Sequence, residues 1–321
     1  MGSQSQSGPR LIERACFLLA RSQRLHSQGK PGAGLPLALR SLALFVKHDG
    51  PGSLDAVNAA LEVGGALLDL GRYKDARVSV RQALAILRKR RGGGVVARLR
   101  HRAFIEAGHV AILQGLFATA RPWFVRALRL ATLHHLPRLA KARALNGLGM
   151  VAKYSGRLAE SERFYRMSMK QIRLVGSTGA HLRAAVLHNL AGLEYARGHL
   201  ARAERFALLG LQRRRALSSP GSVAIATDLA GVAAIAQARG QRVEARRLYQ
   251  QALSILRRRL GSAHFEVNFN LAQLAVLNAS DGRLGLSRRL FGQAIPRLTR
   301  DLGARHPVVK HFAAFRKTVE S

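Results

Sequence analysis

Residues 145–168 read LNGLGMVAKYSGRLAESERFYRMS, and what surrounds Gly156 in that stretch decides the fold. Gly156 sits between two helical patterns, with Gly149 seven positions before it and Ser161, Tyr165 and Ser168 five, nine and twelve after it. The arrangement recurs about Gly71, Gly115, Gly198, Gly240 and Gly282, and the successive spacings are 44, 41, 42, 42 and 42 residues. One more step back lands on Gly29, inside the turn-like Gln28-Gly29-Lys30-Pro31, so seven units are implied. A fixed period of this size marks a repeat architecture and takes precedence over the reading of any single segment.

Columns counted from these glycines test the period. Five after the glycine stand Gly34, Ala76, Ala120, Ser161, Ala203, Ala245 and Ser287, all small. Nine after it come Ala38, Val80, Phe124, Tyr165, Ala207, Tyr249 and Phe291, mostly bulky. Twelve after it small residues return without exception, and seven before it stand Gly64, Gly108, Gly149, Ala191, Ala233 and Ala275. Small residues are needed wherever two helix backbones approach closely, and glycine tolerates the left-handed conformation that ends a helix. Each unit is therefore expected to be an antiparallel pair, helix A before the glycine and helix B after it. No such hairpin buries its apolar face alone, so neighbours must stack. The expected fold is all-α, a right-handed solenoid of about seven hairpins. It occupies 11–319, with a C-terminal capping helix over 307–319 and a disordered Ser/Gln/Gly-rich segment over 1–10.

Composition agrees with this reading. Hydrophobic residues make up 48% of the 321 and charged residues 22%, enough apolar surface for a packed core and too much for disorder. The formal charge of +36 comes from 53 Lys plus Arg against 17 Asp plus Glu. A field of that size attracts polyanions. Since 44 of the basic residues are arginine, GC-rich coding on solvated faces accounts for it equally well. The single cysteine, Cys16, excludes an internal disulfide and any cysteine-based metal cluster, and it is expected to be a buried, inert thiol in an apolar helical run. The run Ala15 to Ala20 is too short for a secretory signal and no segment has the length of a membrane span, so cytoplasmic placement is expected.

The pattern of Leu145 with Leu148-Gly149, then Gly156, Ser161, Tyr165 and Ser168, resembles a tetratricopeptide repeat. The 42-residue spacing resembles the longer repeats of kinesin light chains and their bacterial relatives. Leu260-Gly261-Ser262-Ala263-His264-Phe265-Glu266-Val267 and Leu302-Gly303-Ala304-Arg305-His306-Pro307-Val308 resemble the Leu-Gly-x-x-His-Pro-x-Val linker of that group. The resemblance covers roughly Leu11 to Val309. HEAT and armadillo arrays have similar periods but lack the glycine followed by a small residue five positions on.

No constellation of catalytic groups or cofactor loop is evident, and the chain is read as non-enzymatic, without a cofactor or small-molecule substrate. Gly92-Gly93-Gly94 follows four basic residues with no strand before it and reads as a linker, not a phosphate loop. The pair His134-His135 has no third ligand at metal spacing and reads as two surface histidines on a helix.

Binding is the better-supported activity. The resemblance implies that helix A lines a concave face, which assigns Asn58 and Asp69; Arg102 and His109; Arg143, Asn146, Lys153 and Tyr154; His188 and Tyr195; and Thr227 and Gln237 to a groove. The last unit offers Phe269, Ala272, Val276 and Ala279. Such a surface suits an extended protein or peptide segment with acidic groups, held by Arg and Asn donors. A second candidate is a basic ridge at the ends of the B helices, formed by Arg88, Arg90 and Arg91, by Arg213, Arg214 and Arg215, and by Arg257, Arg258 and Arg259. Such a ridge would track nucleic-acid phosphates without reading sequence, although cations at helix C-termini are also favoured by the helix dipole.

Overall fold

The computed structural model describes residues 7–320, and every regular element among them is helical. Seven hairpins follow one another: α1 (Ser7–Ser27) with α2 (Pro31–Asp49), α3 (Leu54–Asp69) with α4 (Tyr73–Lys89), α5 (Gly94–Leu113) with α6 (Phe117–Leu133), and α7 (Arg138–Tyr154) with α8 (Leu158–Arg173). Then come α9 (Ala180–Ala196) with α10 (Leu200–Leu217), α11 (Val223–Ala238) with α12 (Arg242–Leu260), and α13 (Phe265–Ser280) with α14 (Leu284–Leu302). The last helix among the described residues is α15 (Pro307–Glu320). Of the expected disordered segment, positions 1–6 lie outside the described residues, and positions 7–10 belong to α1.

All seven hairpin glycines have positive φ, between 70° and 79°. Six of these turns, those at Gly29, Gly71, Gly156, Gly198, Gly240 and Gly282, close in one way. The glycine N–H donates to the carbonyl three residues back and the next N–H reaches further, as in Gly156 to Lys153 and Arg157 to Ala152. This double closure satisfies the carbonyls a helix end leaves open. After α6 the left-handed position is taken by His135, at φ 47°, with His135 donating to Thr132 and Leu136 to Ala131. His134 and His135 therefore lie in the turn that ends α6 and not on a helix; both are exposed.

The small and bulky columns meet inside the hairpins. The ring of Tyr165 lies against Gly149, and that of Phe124 against Gly108. The hydroxyls of Ser161 and Ser287, five after their glycines, donate to the carbonyls of Gly149 and Ala275, each at 2.9 Å. A serine in this column thus bonds the partner helix while occupying little more space than the alanine found in other units.

The linkers explain their own motif. Gly261 and Gly303 end α12 and α14 at φ 80° and 88°. His264 and His306 then accept through Nδ1 the N–H of Glu266 at 3.1 Å and of Val308 at 3.2 Å, capping α13 and α15. Earlier units use serine in the same place. Ser53 caps α3 by accepting from Ala56, and Ser222 caps α11 by accepting from Ile225.

The chain divides into two compact units. The first runs through Ile112 and takes in Ala118–Ala144; the second takes Leu113–Phe117 and continues from Leu145. In the first unit the core is a chain of small apolar clusters, such as Val57, Leu61, Leu87 and Leu99 between α3, α4 and α5. The second holds one continuous core from Ala191 to Val319, which includes Tyr249, Phe291 and Phe312. Here α15 packs Phe312 against Phe269 and Phe291. The apolar residues Phe269, Ala272, Val276 and Ala279 therefore belong to this core and its packed margin, not to an open groove.

The expectation for Cys16 is overturned. The inward face of α1 carries Ala15 and Leu19, and Cys16 is rotated roughly 100° from Ala15, which leaves its thiol exposed.

Candidate functional site

In the first unit the A helices carry a network of charges. His26 on α1 faces Glu62 with Nδ1 at 3.0 Å and Asp69 with Nε2 at 2.7 Å. Two carboxylates on two ring nitrogens require both nitrogens to donate, which is the imidazolium form. Hydrogen bonds donated to Asp69 and then to Glu62 outweigh the cost of burial and raise the His26 pKa to about 10. Arg102 on α5 reaches Glu62 at 2.9 Å and Glu106 at 2.8 Å, and donates to the Asn58 side-chain oxygen at 3.3 Å. Burial pushes Glu62 upward, but hydrogen bonding from His26 and the charge of Arg102 leave it below its ordinary value. Glu106 is different. Burial dominates there, its pKa rises to about 7 despite Arg102, and its Oε2 has no hydrogen-bond partner.

Beside this network lies a cavity of about 350 Å³ between α5 and α7, lined by Arg98, His101, Arg102, Glu106, Pro137 and Arg143 among others. His101 donates to the Ala140 carbonyl at 3.0 Å, and burial holds its pKa below the ordinary value. Arg98 and Arg143 are exposed, and neither makes an ion pair among the described residues. Burial by its neighbours, then the charge of Arg102, lowers the pKa of the Arg143 guanidinium. A cation in that position is short of negative charge. His109 lies against Phe124 at 5.4 Å, and burial lowers its pKa to about 4.

In the second unit the amide of Asn189 donates to Asn146 at 2.9 Å, a bond between two consecutive A helices. Lys153 sits 4.5 Å over the ring of Tyr154, which stacks on Phe117 at 5.3 Å. His188 faces Asp228 at 3.0 Å, and Arg214 reaches the same carboxylate at 2.9 Å. Glu266 is pushed upward by burial, and the charge of His188 works against that rise. Tyr195 is exposed and Gln237 half-buried, and no hydrogen bond joins either to another candidate residue among the described residues. Thr227 spends its hydroxyl on the Val223 carbonyl of its own helix.

The groove assignment thus divides. Asn58, Asp69, Arg102, Asn146 and His188 are bound to one another's neighbours on adjacent helices, whereas Arg143, Lys153, Tyr154, Tyr195 and Gln237 keep accessible polar or aromatic surface. Sequence reasoning missed Arg98, Glu62, Glu106, Asp228 and Glu266. A signal existed for two of them: Glu62 and Glu106 both stand nine residues before their glycines.

The basic ridge divides as well. Arg214 is largely buried in its pair with Asp228. Arg90 donates to the Gly52 carbonyl and Arg259 to the Gly221 carbonyl at 2.8 Å, so each ties the end of a B helix to the linker before it. Arg258 returns to Ser254 of its own helix. Arg88, Arg91, Arg213, Arg215 and Arg257 are exposed and pair with no acid among the described residues.

Two family models, both described as tetratricopeptide repeat, match residues 140–216 and residues 229–266. The chain carries tetratricopeptide repeats over those segments. Solved tetratricopeptide-type structures share the fold at low identity. A Rap protein complexed with Competence and Sporulation Factor has a TM-score of 0.66 at 13% identity, with 96% of this chain and 88% of that one covered. The apo quorum sensor NprR from B. thuringiensis has a TM-score of 0.55 at 13% identity, covering 96% and 87%. A signal transduction ATPase with a tetratricopeptide repeat sensor, from Pyrococcus horikoshii, has 0.55 at 16%, covering 89% of this chain and 42% of that one. No curated protein sequence matches the chain. Among the described residues of this repeat protein, no helix is long and apolar enough to cross a membrane, and no group of three or more His, Cys, Asp or Glu could hold a metal ion.

Proposed function

We propose that the chain is a non-enzymatic interaction scaffold that holds an extended acidic segment of a partner protein on its A-helix face. The observation that carries this reading is Arg143: an exposed guanidinium beside a cavity, without an acid partner among the described residues, disfavoured by burial and by Arg102. A carboxylate arriving there offsets both with its own charge, and Arg98 on the same cavity offers a second fork for bidentate pairing. Lys153, Tyr154, Tyr195 and Gln237 supply polar and aromatic contacts of the same reading in the second unit. Quorum-sensing and signalling relatives of the fold are consistent with a role in assembly or regulation. The histidine-capped linkers favour the light-chain-like class of repeat, and the single cysteine favours a reducing, cytoplasmic setting.

The test is fluorescence anisotropy with a labelled extended Glu-rich peptide and with a single-stranded polynucleotide, each across a salt series. Groove capture predicts peptide binding that Arg143→Glu with Lys153→Glu abolishes while helicity is unchanged. Polynucleotide binding that falls steeply and linearly on a log–log salt plot, and that these substitutions spare, would instead assign function to the exposed ridge arginines.

A further inference from the structure

The second unit has another opening, on the side formed by its B helices. Helices α8 and α10 flank α9 and leave a cleft of about 780 Å³. Its floor and walls are apolar: Leu187 and Leu190 from α9, Met169 from α8, and Phe206 and Leu209 from α10. Leu209 is exposed, as is Leu208 next to it. Four arginines stand around this apolar strip, Arg166 and Arg173 on α8 and Arg202 and Arg205 on α10.

The charge around the cleft is unbalanced in one direction. Its two acids, Glu162 and Glu194, are both held by Arg197, at 2.8 and 3.0 Å. Hydrogen bonding from Arg197 outweighs burial at Glu162 and keeps its pKa below the ordinary value. His199 adds a further contact to Glu194 at 2.9 Å. Arg166 shares Glu162 at 2.5 Å, and Arg202 comes no nearer to Glu194 than 3.9 Å. Arg173 and Arg205 are exposed and have no acid partner among the described residues. The cations around the apolar strip exceed what the chain's own acids neutralise.

The walls also select the backbone form of an occupant. All three bounding elements are α-helices whose main-chain groups bond within the helix, so along their length the cleft presents side chains and no free backbone row. An extended segment laid over Leu187, Leu190 and Phe206 would leave its own N–H and C=O groups without partners on an apolar surface. A helix satisfies those groups internally and offers an apolar stripe at i, i+3, i+4 and i+7. We infer that the cleft between α8 and α10 docks an amphipathic helix of a partner protein whose apolar stripe is flanked by Asp or Glu. This inference is independent of capture at Arg143, since it uses other residues, on α8, α9 and α10, and the opposite backbone form.

The experiment uses the full chain and a labelled synthetic amphipathic helix with leucines at i, i+3, i+4 and i+7 and glutamates on both flanks. Two comparison peptides carry lysine flanks or the same composition in scrambled order. The glutamate-flanked helix is expected to bind, with Arg173→Glu plus Arg205→Glu weakening it by roughly tenfold or more. Leu209→Asp should weaken it similarly, and Arg143→Glu should leave it unchanged. All of these side chains are exposed, and circular dichroism checks that helicity is kept. Equal binding of the scrambled or lysine-flanked peptide, or unchanged affinity in the Arg173/Arg205 and Leu209 variants, would overturn the inference. So would a concentration-dependent dimer of the chain that Leu209→Asp dissolves, because the cleft would then be filled by a second copy.

Discussion

Gly149→Ala isolates the packing rule on which the hairpins rest. A Cβ built on Gly149 would lie 2.4 Å from Cε1 and 2.5 Å from Cδ1 of Tyr165. Tyr165 is 0% exposed, so its ring cannot swing into solvent. Overpacking of this kind costs about 1–3 kcal/mol, and the better helix propensity of alanine returns about 0.5–1 kcal/mol. A net loss of roughly 0.5–2 kcal/mol is expected. The sign should reverse once the ring is gone. The α9–α10 hairpin already pairs Ala191 with Ala207 at the equivalent positions, so Gly149→Ala in a Tyr165→Ala background should stabilise by about 0.5–1 kcal/mol. The coupling between the two sites is then roughly 1–3 kcal/mol, within the range of directly packed pairs. Urea midpoints followed by far-ultraviolet circular dichroism at constant slope give all four corners of the cycle. Equal effects of Gly149→Ala in both backgrounds would refute the argument that this column is small because the bulky column fills the space opposite it.

Three further outcomes follow from the charges. His26 gains its proton affinity on folding, so its contribution is complete below about pH 6.5 and is lost as pH rises through about 10. His26→Ala should therefore lower stability by roughly 1.5–3 kcal/mol near neutrality, and urea midpoints of variant and parent should converge toward pH 10. Glu106 shifts in the same direction for the opposite reason: burial penalises its ionised form, and the penalty grows from about pH 4.5 to about 7. The parent should lose stability relative to Glu106→Gln across that window and hold a constant difference above it, as measured by thermal melts in a pH series. Arg214→Ala strands the buried Asp228 carboxylate with only His188, and should cost about 3 kcal/mol in urea unfolding. An unchanged midpoint there would return Arg214 to the solvated ridge.

The fold was legible because its constraints are local and repeated. Gly156 and its six equivalents mark turns whose left-handed φ excludes most residues, and Ser161, Ala203 and Ser287 stand where nothing large fits. Each unit thus restates one steric rule. The His135 turn was hidden, since a histidine at a left-handed position carries none of glycine's signal. Cys16 was misjudged because an apolar run does not reveal which 100° sector of a helix faces inward. The candidate site was less legible still. Counting from the glycines located the A-helix positions but could not say which would be consumed by neighbours: Arg102 by Glu62 and Glu106, Asn146 by Asn189, His188 by Asp228. Apart from Arg102–Glu106, one turn apart on α5, those pairings join residues some 40 positions apart and depend on how adjacent hairpins lean together. The same holds for Arg90 and Arg259, whose sequence context is a row of cations and whose structural role is to hold a linker carbonyl.

The most direct measurement is hydrogen exchange of the full chain with and without a saturating extended Glu-rich peptide. Capture on the A-helix face predicts added protection in α5 and α7, around Arg98, Arg102 and Arg143. Protection confined to the C-terminal ends of α4, α10 and α12, or none in α5 and α7 at saturation, would contradict it.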